Sequence, residues 1–274
     1  MTLHTHKLMV ILSLLLSPLV LASSLPDHRV PGGIISLPVA AATDEKPSVT
    51  FNSKPVMVVN HDDQWVAVVG VPLNQEQSLT LEVNGETTTA TITPYPYEEQ
   101  HIEIKETRKV NPQKSDMDRI GKEYNQMTPV YKSHSKHLAA QWTEMILPTE
   151  GPYSSAFGLK RFFNGQARKP HSGIDIAAPE GAPIIAPAAG KVVLTGDFFF
   201  NGNSVFIDHG QGLISMMCHM SRIDVKEGDD IQQGDLIGAV GKTGRATGPH
   251  LHWTVSLNNA RVNPKLLLRA DQPR

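Results

Sequence analysis

His250-Leu-His-Trp-Thr-Val-Ser-Leu257 alternates without a break: His250, His252, Thr254 and Ser256 fall on one side, Leu251, Trp253, Val255 and Leu257 on the other. A period of two is the signature of a β-strand with one buried face. The apolar set turns toward a core, so both imidazoles sit side by side on the opposite face, open to a groove. Leu213-Ile-Ser-Met-Met-Cys-His-Met220 repeats the pattern, with Ile214, Met216, Cys218 and Met220 as one face and His219 on the other. Cys218 then reads as a core thiol, because an apolar face gives a nucleophile neither access nor a depressed pKa.

Outward from these two strands, the composition from Trp142 onward is rich in Gly, Pro and β-branched residues, with further strands at 191–194 and 204–208. This predicts a compact, mainly antiparallel β domain with long loops over an open groove on one face, at residues 141–270. Upstream, β-rich runs at 56–60, 65–69, 78–83 and 87–93 are separated by turn formers, among them Asn84-Gly85. Asn-Gly between alternating runs marks a hairpin, and strands at this spacing predict a small β-sandwich-like domain over residues 28–105. The fold class is therefore all-β to mainly β. Residues 106–140 form a polar, partly helical connector, with a helix opening at Ser115 and Asp118 in the capping-box position. His134 and His137 belong to this solvated segment.

Residues 1–22 read as a secretory signal peptide: a short apolar run from 8 to 21 ends at small Ala22, too short for a comfortable membrane span. No stable span is expected once it is removed. The formal net charge of −2 over 274 residues excludes the basic footprint of a nucleic-acid binder. Cys218 is the single cysteine, so neither an internal disulfide nor an N-terminal lipid-bearing cysteine is available.

A third polar piece is His171-Ser-Gly-Ile-Asp175, where Gly173 permits a sharp bend that lets His171 and Asp175 converge. Two neutral imidazoles with one carboxylate suit tetrahedral zinc, leaving a fourth position for water. With Ser155-Ala-Phe-Gly158, Arg168-Lys-Pro-His-Ser-Gly-Ile-Asp-Ile-Ala-Ala-Pro179, the run through His219, and Gly244-Arg-Ala-Thr-Gly-Pro-His-Leu-His-Trp253, residues 148–268 resemble the M23 zinc metallopeptidases of the lysostaphin type. The resemblance implies that His171, Asp175 and His252 bind one Zn2+ per chain. It also implies that His219 and His250 are catalytic histidines outside the metal shell. By the same resemblance the substrate is peptidoglycan, its stem peptides and cross-links, in the periplasm of a Gram-negative bacterium. A regulatory envelope protein is the further partner it brings to mind. One departure is Met217, where the family often carries an aromatic; this bears on subsite preference.

Two aromatic, Gly-bearing loops, 161–165 and 198–203, are candidate groove walls, although their Phe rings serve equally well as buried packing. His209, at a turn entry, reads as structural. Segments 180–192 and 225–238 resemble the hairpins of biotinyl and lipoyl carriers, yet loop 198–203 offers no lysine to modify. A rival of a different class is a non-catalytic regulator that activates cell-wall amidases. Relatives of that kind have lost the zinc ligands, whereas all five polar positions stand here.

Overall fold

The computed structural model describes residues 25–137, 139 and 142–273, so the signal-peptide reading of residues 1–22 lies outside the described residues. The first module holds β1 (Ile34–Ala41), β2 (Val49–Phe51), β3 (Lys54–Pro55), β4 (Met57–His61), β5 (Gln64–Gly70), β6 (Ser78–Val83) and β7 (Glu86–Thr91). They make two sheets, ordered β1-β5-β4 and β3-β2-β6-β7. Asn84 and Gly85, at φ of 49° and 92°, turn β6 into β7, in the conformation that strand twist favours for a two-residue hairpin. Alternation along β5 gives the first sheet two buried faces. Ala67 and Val69 meet Leu79, Leu81 and Ala90 inside the sandwich. Val66 and Val68 point the other way and join Ile34 and Met57 in the core of the larger domain.

That domain follows as β8 (Glu99–Ile102), α1 (Lys114–Lys132), β9 (Tyr153–Ser155), β10 (Lys160–Phe163), β11 (Gln166–Ala167), β12 (Ile174–Ile176), β13 (Pro183–Ile185), β14 (Gly190–Phe198), β15 (Gly202–Gly210), β16 (Leu213–Met220), β17 (Arg222–Ile223), β18 (Asp230–Ile231), β19 (Leu236–Ala239), β20 (Leu251–Leu257) and β21 (Ala260–Val262). Its main sheet runs β18-β14-β15-β16-β20-β12-β9, with β21 beside β20. The fold is mainly β, as the alternation requires. β8 pairs in parallel with β10, which ties the stretch after the sandwich to the large domain.

In the centre of the sheet Cys218 lies opposite His252 and Met216 opposite Thr254, so β16 and β20 alternate in phase. Leu251, Trp253, Val255 and Leu257 share the main core with Leu213 and Met217. Ile214, Met216 and Cys218 therefore occupy the same face as His252, where Met127, Val130 and Tyr131 of α1 cover them. One sequence expectation is corrected here. Met220 does not share a face with Cys218; it packs into the main core. The cause is a bulge: the register with β15 slips between Asn203↔Met220 and Val205↔Met217, and His219 takes a left-handed φ of 63°. The bulge turns His219 onto the same side as Cys218.

The helix also opens earlier than Ser115 and Asp118 suggest. Gln113 is the N-cap, and its backbone N–H donates to the Asp116 carboxylate at 2.9 Å. Arg108 grips both oxygens of Asp116, which fixes the first turn two residues ahead of the sequence expectation.

Candidate metal centre

Strand pairing places the site. Asp175 on β12 is the direct cross-strand partner of His252 on β20. His171 approaches over Gly173, where a Cβ would stand 2.4 Å from the Trp253 carbonyl oxygen and 2.9 Å from the His252 ring. Any larger residue would push the loop off the sheet. His171 Nε2, Asp175 Oδ1 and His252 Nδ1 converge, at 3.0 Å from His171 to each of the other two and 2.7 Å between His252 and Asp175.

The outer atoms of each residue are held. His171 Nδ1 lies 2.6 Å from the Ala156 carbonyl oxygen, which only accepts, so Nδ1 carries the proton and Nε2 presents its lone pair inward. His252 Nε2 pairs with Thr254 Oγ1 at 2.8 Å, and Asp175 Oδ2 accepts from Arg161 at 2.8 Å. Three electron-rich atoms thus crowd one point. A divalent cation relieves that crowding, and the two-nitrogen, one-carboxylate donor set fits zinc. Among the described residues no other group of three His, Cys, Asp or Glu side chains is so arranged.

Burial holds the His171 pKa down to about 4 against the pull of Asp175. Burial works to raise that of Asp175, but the His171 and His252 rings beside it hold it well below the usual carboxylate range. At neutral pH the site therefore sets a neutral His171 imidazole beside an ionised Asp175 carboxylate.

His219 and His250 flank this centre, their ring centres 4.8 Å apart, with His219 6.1 Å from His252. His250 Nε2 stands 4.0 Å from Asp175 Oδ1. Nδ1 of His219 donates to the Thr243 carbonyl at 2.8 Å, and Nδ1 of His250 to the Gly248 carbonyl at 2.9 Å. Both Nε2 atoms are left as acceptors. Burial, with His250 and His252 as neighbours, lowers the His219 pKa to about 3. All five residues singled out in the sequence meet in one place.

The remaining candidates take no part in this convergence. Cys218 is buried among apolar side chains, and burial pushes its thiol well above the usual range. His209 is enclosed between the Ala189 carbonyl and Ser215, and His134 reaches the Val56 carbonyl at 3.3 Å. Phe163, Phe198 and Phe199 are buried, whereas Phe162 and Phe200 keep partial exposure. Sequence reasoning missed Arg161 and Thr254 as outer partners. The alternation that put Thr254 beside His252 was a usable signal; for Arg161, fourteen positions from Asp175, there was none.

Residues 169–264 match peptidase family M23, and residues 27–94 match the peptidase family M23 N-terminal domain. A solved structure described as a peptidase M23 from Pseudomonas aeruginosa is 40% identical, covers 89% of this chain and 96% of its own, and superposes with a TM-score of 0.74. The protein belongs to peptidase family M23. The peptidoglycan DD-endopeptidase ShyA of Vibrio cholerae is 42% identical over 134 residues, 48% of this chain and 31% of its own length. The DD-carboxypeptidase/endopeptidase Mpg of Neisseria meningitidis is 40% identical over 111 residues, 40% of this chain and 26% of its own length. The chain spans about a third or less of these curated relatives. Among the described residues, no helix is long and apolar enough to cross a membrane.

Proposed function

We propose that the protein is a zinc-dependent endopeptidase that hydrolyses peptide cross-links of bacterial peptidoglycan in the periplasm of a Gram-negative bacterium. The observation that carries this reading is the convergence of His171 Nε2, Asp175 Oδ1 and His252 Nδ1, each with its outer atom already bonded. His171, Asp175 and His252 would hold the metal. Bound there, zinc supplies Lewis acidity and a water whose pKa falls toward about 7.

The chain's own residues supply the rest. The Thr243 and Gly248 carbonyls fix the tautomers of His219 and His250, so that each Nε2 can take the proton of the attacking water. Once protonated, the same nitrogens become donors to the developing oxyanion and to the departing amine. Arg161 holds Asp175 by Oδ2, which leaves Oδ1 turned to the imidazoles. A Gram-negative envelope setting favours, by analogy with the family, the bond between D-alanine and diaminopimelate as the one cut. The amidase-activator reading finds no support in a site that retains every donor.

Digestion of purified peptidoglycan, with the fragments identified by mass spectrometry, tests this directly. The protein is expected to convert cross-linked muropeptides into monomeric ones whose stem peptides remain on the glycan, while His252→Ala or a chelator abolishes the conversion. Cleavage that survives both would exclude the metal-dependent reading.

A further inference from the structure

A second charged cluster borders the metal centre and has no part in holding it. The Arg245 guanidinium lies between two phenylalanines, 4.4 Å from the centre of the Phe200 ring and 4.7 Å from that of Phe163. Its backbone N–H donates to the Phe200 carbonyl at 2.8 Å. That approach depends on Gly244, where a Cβ would come within 2.3 Å of the Gly202 nitrogen. The half-buried guanidinium makes one long hydrogen bond, 3.4 Å to the Lys109 carbonyl, and no carboxylate among the described residues pairs with it.

Its neighbours do not neutralise it. Burial, and then the charges of Arg161 and Arg168, lower the Arg245 pKa to about 10. Arg161 is committed to Asp175. Arg168 donates only to neutral oxygens, of Ala167, Val110, Asn111 and Gln166. Arg245, Arg168 and the exposed Lys169 line one cavity with Tyr124, Met127 and Asn201. Those last three residues also line the adjoining cavity that reaches His252. Glu123, which also lines the first cavity, is taken by Arg119, so a surplus of cationic charge remains beside the cavity that reaches His252.

A partly desolvated guanidinium without a counter-ion is costly, and its forked donors match a carboxylate. We infer that Arg245, assisted by Arg168 and Lys169, forms a subsite for a carboxylate of the peptide substrate beside the scissile bond. This rests on the endopeptidase reading above. In a D-alanyl–diaminopimelate cross-link, the carbon bearing the scissile nitrogen also bears a free carboxyl group, which is the matching anion.

Two cross-linked peptides, one with that carboxyl free and one with it amidated, separate the cases. The zinc-loaded wild type is expected to favour the free acid by about 10-fold or more in kcat/KM, with most of the contrast in KM. Arg245→Met should collapse the ratio toward one, and Arg245→Lys should retain part of it. Arg168→Met combined with Lys169→Met, both nearer the surface, should shrink it without touching the Phe sandwich. The same contrast should appear as a Kd ratio in the zinc-free wild type, which needs no variant to fold. Equal handling of both peptides by the wild type, or an undiminished ratio in folded Arg245→Met, would overturn the subsite. Failure of the zinc-loaded wild type to cleave either peptide counts instead against the endopeptidase reading, and the subsite falls with it.

Discussion

The two oxygens of Asp175 have different partners: Oδ1 faces the imidazoles and Oδ2 accepts from Arg161. Removing such an outer partner commonly weakens a metal site by about 10- to 100-fold. Arg161→Met should therefore bind zinc more weakly by that factor in competition with a chelating dye, and equal affinity would show that Arg161 has another task. His209 gives a second residue-level expectation. Burial lowers its pKa from 6.5 to about 4 in the fold, so below pH 6.5 the unfolded chain takes a proton that the folded chain refuses. Stability from this group is complete above pH 6.5 and drains away between 6.5 and about 4, by about 3 kcal/mol in all. Denaturant titrations of His209→Gln should show a shallower acid decline than the parent. The donors were legible because their spacing is local to two short motifs. Arg161 was not, because its meeting with Asp175 exists only after β10 and β12 have taken their places in the fold.

At the scale of elements, long alternating strands were readable almost to the residue: β6 and β16 begin and end where the pattern does, and β20 opens one residue after it, at Leu251. Strands of two or three residues, such as β3, β11 and β12, carry too few positions to show a period. The bulge at His219 was also hidden, since an extra residue on one strand is defined only by its partner. The apolar side of β16 turned out to lie under α1. Tyr131 carries much of that contact, edge-on to Phe206 at 5.6 Å with the Arg261 guanidinium 3.4 Å above its ring. Tyr131→Ala should cost about 3 kcal/mol in urea unfolding, as truncation of a buried aromatic does. A loss below about 1 kcal/mol would mean that α1 contributes little to the sheet.

At the scale of the molecule, the sheet β1-β5-β4 belongs to two cores at once. Polar contacts reinforce the junction: Asn258 accepts from the Gly70 N–H at 2.7 Å and donates to its carbonyl at 3.3 Å, and Gln211 accepts from the Val58 N–H at 3.1 Å. Scanning calorimetry should show one unfolding transition for both modules, and Asn258→Ala should lower it as a unit by about 2 kcal/mol. Two separated transitions would show the modules to be independent. The sequence could not announce this sharing, because Val66, Ala67, Val68 and Val69 read as one continuous apolar run.

Order of synthesis gives the shared sheet a temporal meaning. Ile34, Met57, Val66 and Val68 emerge early, whereas Leu257 and Val262, which help to bury them, come near the end of the chain. A chain delivered from its N-terminus can finish the small sandwich yet must carry one greasy wall uncovered until β20 and β21 arrive. Holding factors that shield apolar surface would act during that interval, and a fragment ending before β20 would be expected to self-associate.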